Sequence, residues 1–350
     1  MTSLLFSQRL LSWFHQHGRK KLPWQRDLTP YPVWVSEIML QQTQVKTAIP
    51  YYERFMMRFP TLQSLAEASQ DEVLSLWSGL GYYARGRNLH KAAHIIVEEY
   101  QGHFPNELSI LQSLPGLGRS TASAILAICF GARHAILDGN VKRVLTRYLG
   151  IEGYPGEREI EAKLWQEAER LLPSKEADIP AYTQAIMDLG AMMCLPKRPS
   201  CLLCPVQNDC IALRDKQVET LPTSKPKRAY PTKKAWFVLL KNADALHLIQ
   251  RPQTGIWGGL WCPPEFSDEA SAHAYLTHLG LDLQNAKPLP LQHHLFTHYR
   301  LEFMPILLDC TSSVCHDKLL SWIPIHQISE KGLPAPISRL IHSLATVLPH

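Results

Sequence analysis

The spacing of apolar residues changes once along the chain, and this change restricts the folds available to it. From Phe6 to about Leu213, apolar residues recur every three or four positions, as at Leu62 and Leu65. This spacing is typical of helices that bury one face, and proline and glycine break it at intervals. We therefore predict an all-α domain over residues 1–222.

The pattern after Pro231 is that of a mixed domain. Short apolar runs typical of strands lie at residues 236–240, 246–250 and 301–308, and a closing helix is predicted over 337–344. A few strands with a few helices predict a smaller α+β domain over residues 235–350.

Length and composition agree with two globular domains. The chain has 350 residues, of which 45% are hydrophobic and 19% are charged, as in folded proteins of this size. No apolar run approaches the ~20 residues of a membrane helix. Residues 1–11 lack the basic region and apolar stretch of a signal peptide. We therefore expect a cytoplasmic protein with no membrane partner.

The formal net charge of +5 is concentrated between the two predicted domains. Residues 223–234 carry no acidic side chain, and their basic side chains are Lys225, Lys227, Arg228, Lys233 and Lys234. We interpret this segment as a linker. It could also lie along phosphates, where each neutralised phosphate releases counterions, and a solvated linker without this contact is the alternative.

A glycine-rich motif, LPGLGRSTA, runs from Leu114 to residue 122. We predict a hairpin of two helices over about 106–130, with Gly116 and Gly118 in the turn and Ser120 or Thr121 capping the second helix. The free N–H groups of such a turn suit one phosphate. A P-loop is excluded because no Gly-Lys-Ser/Thr follows. A helix corner that binds nothing is the alternative.

Two carboxylates stand in contexts that matter for chemistry. Asp138 opens a predicted helix in ILDGNVKRV, and Glu37 lies among apolar neighbours in WVSEIMLQQT. Burial would raise the pKa of Glu37 from ~4.3 toward neutrality, as a general acid requires. A helix N-terminus would keep Asp138 ionised. The alternatives are a simple helix cap for Asp138 and a first-turn helix residue for Glu37.

Half of the eight cysteines are crowded into one segment, at Cys194, Cys201, Cys204 and Cys210. In a reducing cytosol, crowding of this kind indicates a metal site rather than disulfides. Thiolates bind zinc or an iron–sulfur cluster, and their softness alone does not choose between the two. The remaining cysteines are predicted to be packing residues, namely Cys129, Cys262, Cys310 and Cys315.

With these motifs, nearly the whole chain resembles the MutY family of adenine DNA glycosylases. The resemblance implies a helix-hairpin-helix that grips the DNA backbone through Leu114, Gly116, Gly118 and Ser120, and a [4Fe–4S] cluster in the loop 194–210. It also implies that Glu37 is the catalytic acid, and that Asp138, assisted by Asn140, stabilises the cationic sugar left when adenine departs.

The resemblance extends to the residues that would hold the DNA. It implies that Gln42 and Tyr82 wedge into the base stack around the extruded nucleotide, and that Trp24 lines the adenine pocket. Ser120 replaces the hairpin lysine of endonuclease III, so at most weak lyase activity is expected. The implied substrate is double-stranded DNA with adenine opposite 8-oxoguanine or guanine, bound by a monomer.

The C-terminal domain resembles the Nudix fold of the same family. The frame of the Nudix box, G-x5-E-x7-R-E-U-x-E-E-x-G-U, is kept at Gly259, Glu265, Gly280 and Leu281. Its metal-binding positions hold His273, Ala274, Thr277 and His278 instead. Without these carboxylates pyrophosphate hydrolysis is not expected. The family's 8-oxoguanine-reading loop, Phe-Ser-His, corresponds here to Phe296, Thr297 and His298.

Two other functions fit part of the sequence. The first is a glycosylase of the endonuclease III type that acts on another base, such as thymine opposite guanine. The second is a non-catalytic iron–sulfur module that binds DNA, which would need the hairpin and the cysteines but neither Glu37 nor Asp138. A catalytic Nudix pyrophosphatase is contradicted by the substitutions in the box.

Overall fold

The computed structural model of the protein describes residues 2–225, 230–281, 283–310 and 320–347. Residues 226–229 of the predicted basic linker, and Cys315, lie outside the described residues. Across the described chain, no helix is both long and apolar enough to span a membrane.

The N-terminal part is helical, as its apolar spacing predicts. Its α-helices are α1 (Thr2–His17), α2 (Pro30–Leu40), α3 (Val45–Arg58), α4 (Leu62–Ala66), α5 (Gln70–Trp77), α6 (Ala84–Glu99), α7 (Leu108–Ser113), α8 (Arg119–Phe130), α9 (Gly139–Leu149), α10 (Arg158–Arg170), α11 (Ile179–Asp188) and α12 (Ile211–Arg214). A π-helical turn, Leu189–Met193, continues α11.

The chain divides into two compact units whose bounds differ from the sequence-based domains. The first unit comprises Met1–Ala66 and Lys91–Lys227, and the second comprises Glu67–His90 and Arg228–His350. The segment 67–90, which contains α5, thus packs with the C-terminal part of the chain.

The core of the first unit forms where α1, α8, α9 and α11 meet. Phe6 on α1 is 1% exposed, and its ring centroid lies 4.6 Å from that of Tyr148 and 6.5 Å from that of Tyr182. Burying a side chain of this size contributes about 1.5–3 kcal/mol. These contacts fix α9 and α11, the two helices that end beside the cysteine segment.

The second unit is built on a sheet around two long parallel strands. Its strands are β1 (Thr232–Asn242), β2 (Ala245–His247), β3 (Ile249–Gln250), β4 (Trp261–Cys262), β5 (Glu265–Phe266), β6 (Lys287–Pro288), β7 (Gln292–Leu295), β8 (Arg300–Asp309) and β9 (Trp322–Pro324). The order in the main sheet is β6-β8-β1-β2-β9. β1 and β8 pair from Thr232↔Arg300 to Lys241↔Asp309. Two α-helices accompany the sheet, α13 (Glu269–His278) and α14 (Ala335–Val347).

Both faces of β1 are covered, which explains why its apolar residues form a continuous run. Val238 and Leu240 face a cluster that includes residues of α13. On the opposite face, Phe237 packs edge-on against Phe303, with ring centroids 5.1 Å apart. A strand buried on both sides reads as an unbroken apolar stretch. The predicted strands 236–240 and 301–308 are confirmed within β1 and β8.

Two predicted boundaries were wrong in detail. The run 246–250 is divided between β2, which pairs with β9, and β3, which pairs with β4. The chain changes partners at Leu248, whose N–H donates to the carbonyl of Ser321. The predicted linker ends earlier than residue 234, because Thr232 already belongs to β1.

Candidate active site

Glu37 is carried by α2, a helix almost entirely buried around it. Trp34 and Ile38 are at most 2% exposed, whereas Glu37 is only partly buried. The helix begins at Pro30, where a proline needs no helical hydrogen bond. Glu37 therefore lies beyond the first turn, and the alternative interpretation of a first-turn residue was wrong.

Asp138 is the N-cap of α9. Its Oδ1 accepts a hydrogen bond of 2.7 Å from the N–H of Val141, which satisfies one of the free donors at the helix start. The predicted cap is confirmed. The extended backbone of Asp138 places its carboxylate beside the first turn of α9 rather than on the helix surface.

Glu37 and Asp138 line one cleft of the first unit, a space of about 1980 Å³ that includes its open mouth. Three other predicted residues line the same cleft, namely Gln42, Ser120 and Asn140. The structure thus brings together residues that lie up to about a hundred positions apart in sequence.

The cleft changes the acidity of both carboxyl groups. Burial, and then the negative charge of Asp138, raises the pKa of Glu37 to about 7. Burial also raises the pKa of Asp138. Hydrogen bonds from the backbone of Val141 and Asn140, and the charge of Arg143, act in the opposite direction on Asp138. Of the two groups, Asp138 is the one whose ionised form these hydrogen bonds and Arg143 favour, although burial still leaves its pKa raised.

Asn140 is held by Arg143, which sequence reasoning missed. The Arg143 Nη2 donates to Asn140 Oδ1 at 2.9 Å and to the Gly190 carbonyl at 2.7 Å, and its Nε donates to the Cys194 carbonyl at 2.7 Å. A Cβ added at Gly190 would lie 2.7 Å from the Cβ of Asn140. The spacing of three between Asn140 and Arg143 could have suggested this pair, whereas Gly190 has no local signal.

The glycine-rich motif forms the predicted hairpin between α7 and α8. Gly116 has a φ of +81° in the turn, and Leu114 is buried below it. The prediction that Ser120 or Thr121 caps α8 was wrong, because the cap position falls on Gly118. Ser120 Oγ instead accepts from the Leu137 N–H at 2.9 Å, and so ties α8 to the residue before Asp138.

Two residues predicted to contact DNA have an unusual backbone. Gln42, in the first unit, has a φ of +56°, and Tyr82, in the second unit, has a φ of +49°. A residue other than glycine with a positive φ of this kind carries strain of about 1–3 kcal/mol. Tyr82 is also 46% exposed. Strain held in place at an exposed aromatic residue is typical of functional turns.

Trp24, predicted to line the adenine pocket, is not brought to the cleft. It is 5% exposed, and its ring packs edge-on against Tyr52 with centroids 5.3 Å apart. The indole is thus part of the apolar core, and it does not line the cleft that holds Glu37. Its role beside adenine stays a prediction.

The four clustered cysteines line one partly open space in the first unit, of about 430 Å³ with its mouth included. The walls are mostly apolar, with Val144, Leu189 and Val206 among them. The Arg147 Nη1 donates to Cys194 Sγ at 3.4 Å. Burial raises the pKa of the Cys204 thiol to about 12, so a thiolate there needs a strong positive partner. Within the described parts of the chain, no three or more potential ligands converge as they would around a single ion.

The predicted base-reading residues form the turn between β7 and β8. The Phe296 N–H donates to the Tyr299 carbonyl at 2.9 Å, and the two rings stack with centroids 4.6 Å apart. Trp257 packs against Phe296 at 5.3 Å. Thr297 and His298 are exposed at the tip, so the turn presents two polar side chains on a rigid aromatic base.

The carboxylate positions of the Nudix box lie on β5 and α13. Glu265, the retained carboxylate, forms an ion pair with Arg251. His273, Ala274, Thr277 and His278 lie on α13, where their side chains cannot replace the missing carboxylates as Mg²⁺ ligands.

Comparison with known proteins matches each part of the chain to a protein family. Residues 35–170 match the HhH-GPD superfamily of base excision DNA repair proteins, and residues 235–343 match the NUDIX domain family. In solved structures, the fold is similar to that of a thermostable thymine-DNA glycosylase, with a TM-score of 0.55, 25% identity, and coverage of 61% of this chain and 97% of the other. An endonuclease III–DNA complex matches with a TM-score of 0.50, 19% identity, and coverage of 60% and 94%. This second likeness concerns the fold alone.

Relatives that align with most of this chain identify the family. An adenine DNA glycosylase of Buchnera aphidicola subsp. Schizaphis graminum is 42% identical over 345 residues, which cover 97% of this chain and 99% of the relative. An adenine DNA glycosylase of Homo sapiens is 38% identical over 362 aligned positions, covering 85% of this chain and 66% of the human protein. The chain belongs to the adenine DNA glycosylase family.

Proposed function

We propose that the protein removes adenine from DNA by hydrolysing its N-glycosidic bond, and that its substrates are adenines opposite 8-oxoguanine or guanine. The observation that carries this proposal is the pair Glu37 and Asp138 in one cleft, with the pKa of Glu37 raised to about 7. Two carboxyl groups in different protonation states are what acid-assisted glycosidic cleavage needs.

Glu37 acts as the general acid. With a pKa near 7, its carboxyl group holds a proton at neutral pH and gives it to a ring nitrogen of the extruded adenine. The protonated base then leaves C1′ with the bonding electrons as neutral adenine. Water adds its oxygen to C1′, and the proton released by the water returns to the Glu37 carboxylate.

Asp138 stabilises the sugar during this step. Loss of the base leaves an oxocarbenium-like sugar, and a fixed carboxylate close to C1′ lowers the energy of that cation. The hydrogen bond from Val141 holds Asp138 in place. Asn140, held in turn by Arg143, assists it from the same turn of α9.

Adenine must leave the base stack before it can reach this cleft. We assign the wedge to Gln42 and Tyr82, both of which adopt strained backbone conformations. We assign anchoring of the DNA backbone to the hairpin residues Leu114, Gly116, Gly118 and Ser120, where main-chain N–H groups at the start of α8 can face a phosphate.

The cysteine cavity fits a [4Fe–4S] cluster better than zinc. A zinc ion would draw its sulfurs to about 2.3 Å from one point, whereas among the described residues no three or more ligands converge in this way. Cys194, Cys201, Cys204 and Cys210 would be the ligands. Bound there, the cluster would supply the positive charge that the buried thiolates need, and it would join α9 to the loop 194–210.

The second unit supplies recognition of the opposite base. We assign the reading of 8-oxoguanine to Phe296, Thr297 and His298, since this tip combines a stacked aromatic ring with exposed hydrogen-bonding groups. The Thr297 Oγ1 lies 3.4 Å from His298 Nδ1, which fixes the two polar groups relative to each other.

The proposed enzyme is a monofunctional glycosylase. Ser120 in the cleft offers a hydroxyl group where endonuclease III has an amine, so no Schiff base forms at this position. We propose further that the protein acts as a monomer on double-stranded DNA in the cytoplasm, at the nucleoid.

Single-turnover cleavage of end-labelled duplexes tests the proposal. The duplexes carry adenine opposite 8-oxoguanine, guanine, cytosine or thymine, and a further duplex carries thymine opposite guanine. We expect strand breaks at adenine opposite 8-oxoguanine and guanine only after alkali treatment. Cleavage at thymine instead would show that the protein is a glycosylase for thymine opposite guanine. Tight binding without any cleavage would indicate a non-catalytic DNA-binding module.

A further inference from the structure

The turn that carries Tyr82 has three residues with a positive φ. Gly79, Gly81 and Tyr82 have φ values of +94°, +77° and +49°. The Gly81 carbonyl accepts hydrogen bonds from Trp77 Nε1 at 3.2 Å and Arg85 Nη2 at 3.1 Å. An L-residue with positive φ persists only where its surroundings determine the conformation, so the contacts around this turn decide where the Tyr82 ring points.

Both ends of the turn are bonded to one carbonyl far along the chain. The Leu333 carbonyl accepts from Tyr83 Oη at 2.9 Å and from Ser78 Oγ at 3.1 Å. The Tyr83 Oη also accepts from the Gly79 N–H at 3.3 Å. The Tyr83 hydroxyl is therefore a relay between the turn and the Nudix-like fold, which contains Leu333.

Close packing keeps Leu333 in register with the turn. A Cβ added at Gly332 would lie 2.6 Å from the Cβ of Leu74 on α5, and one added at Gly259 would lie 2.8 Å from Gln70 Nε2. The backbone at Gly332 thus approaches α5 so closely that only glycine fits there, whereas the flexible end of Gln70 could move away from a Cβ at position 259.

A polar cluster on α5 reinforces this packing. The Asp71 carboxylate accepts from Trp261 Nε1 at 3.0 Å and forms an ion pair of 3.1 Å with Lys331. Beyond the turn, Arg87 Nη1 donates to the Gly258 carbonyl at 2.6 Å. Contacts on both sides of the turn therefore make residues 67–90 a part of the second unit.

We propose that Tyr83 is a positioning residue for base extrusion, which transmits the fixed position of the Nudix-like fold to Tyr82 through its hydroxyl group. The Nudix-like fold then has two tasks: its β7–β8 tip contacts the opposite base, and its Leu333 carbonyl sets the direction of the wedge. This inference rests on the proposed role of Tyr82 in entering the base stack.

Base extrusion can be followed separately from bond cleavage. In the full-length protein carrying Glu37→Gln, 2-aminopurine placed opposite 8-oxoguanine in a duplex brightens as it unstacks, and stopped-flow fluorescence gives the rate. We expect Tyr83→Phe to lower this rate about fivefold to tenfold, as expected for the loss of one hydrogen bond. Ser78→Ala should lower it less. Duplex affinity by anisotropy and Tm should remain close to those of the parent.

Tyr275→Phe is the matched control. It removes a hydroxyl group in the same unit that lies 3.3 Å from His247 Nε2, and it should leave the extrusion rate unchanged. Tyr82→Ala separates the two proposals. If Tyr82→Ala slows extrusion and Tyr83→Phe does not, the role of Tyr83 is overturned alone. If Tyr82→Ala has the parent rate, the role of Tyr82 and this inference are overturned together. A loss of affinity or Tm that accounts for the slower extrusion would also contradict a positioning role.

Discussion

At the scale of single residues, the two carboxyl groups of the cleft differ in what surrounds them. Glu37 lies on a helix with apolar neighbours, and burial is the main cause of its raised pKa. Asp138 is also buried, but it accepts hydrogen bonds from the first turn of α9 and lies near the charge of Arg143. In the proposed mechanism, environment rather than residue type distinguishes the acid from the stabilising anion.

The role of Asp138 can be separated from its structural task as a helix cap. Asparagine also caps helices well, so Asp138→Asn should fold while losing the charge that faces the sugar. We expect the single-turnover rate to fall about 10²–10³-fold, with duplex affinity retained.

Asp268→Asn is the control for this prediction. Asp268 caps α13 through a 2.7 Å bond from the Ser271 N–H, far from the cleft in sequence and in the other unit. The Asp268→Asn variant should cleave the duplex at the parent rate. If Asp138→Asn cleaved within a few-fold of the parent, Asp138 would be only a cap.

The sequence located individual site residues better than their partners. Glu37, Asp138 and Ser120 lie in motifs that local patterns and family resemblance identify, and the structure places them in one cleft. Arg143 and Gly190 could not be assigned in the same way, because their contacts join α9 to residues about fifty positions away. Ser120 was expected to cap a helix, but its hydroxyl instead accepts a hydrogen bond from the Leu137 N–H, in a distant segment.

At the scale of elements, the β7–β8 turn combines a packed aromatic base with an exposed polar tip. Phe296 is fixed between Tyr299 and Trp257, whereas Thr297 and His298 are exposed. Replacing both tip residues by alanine should therefore leave the fold intact. We expect the preference for 8-oxoguanine over guanine opposite adenine to fall about tenfold, as when one or two hydrogen bonds are lost.

The chain offers a matched control for this variant. Thr277 and His278 form the same exposed pair at the end of α13, and their replacement by alanine should leave the preference unchanged. The ratio of single-turnover rates on the two duplexes is the measurement. An unchanged ratio in the Thr297→Ala, His298→Ala variant would remove the tip from base recognition.

Element boundaries followed from local signals where proline and glycine mark them. The hairpin between α7 and α8 was predicted because two glycines allow a positive φ in the turn; Gly116 adopts one, at +81°, whereas Gly118 has a φ of −78°. The division of the run 246–250 into β2 and β3 was missed, because the change depends on which strand lies alongside. Periodicity reports which face is buried, but it does not report the partner.

At the scale of the whole molecule, the chain folds back so that residues 67–90 pack with a C-terminal unit that begins about 140 positions later. No local pattern predicts this, since the contacts of Gly332 with Leu74 and of Asp71 with Trp261 join distant parts of the sequence. Family resemblance predicted two folds, but it did not indicate that one of them would hold the turn of Tyr82.

The cysteine cavity gives a prediction about overall stability. In Cys204→Ser, one thiolate of the proposed cluster is lost, and an apolar space of about 430 Å³ loses its filling. We expect the purified variant to contain less iron, to melt at a lower temperature and to bind duplex DNA more weakly. Cys129→Ser, outside the cavity, should retain its iron. Full iron content in Cys204→Ser would exclude Cys204 as a ligand.

The most direct test of the catalytic assignment is the pH dependence of single-turnover cleavage of adenine opposite 8-oxoguanine. Glu37 has a pKa raised to about 7 and must be protonated to act. The rate should therefore be constant below this pH and fall about tenfold per pH unit above it, while duplex binding, measured at each pH, persists. In Glu37→Gln the rate should be far lower and this falling limb absent. A wild-type rate that stays constant from about pH 6 to 9, or a falling limb that persists in Glu37→Gln, would contradict the assignment of Glu37 as the acid.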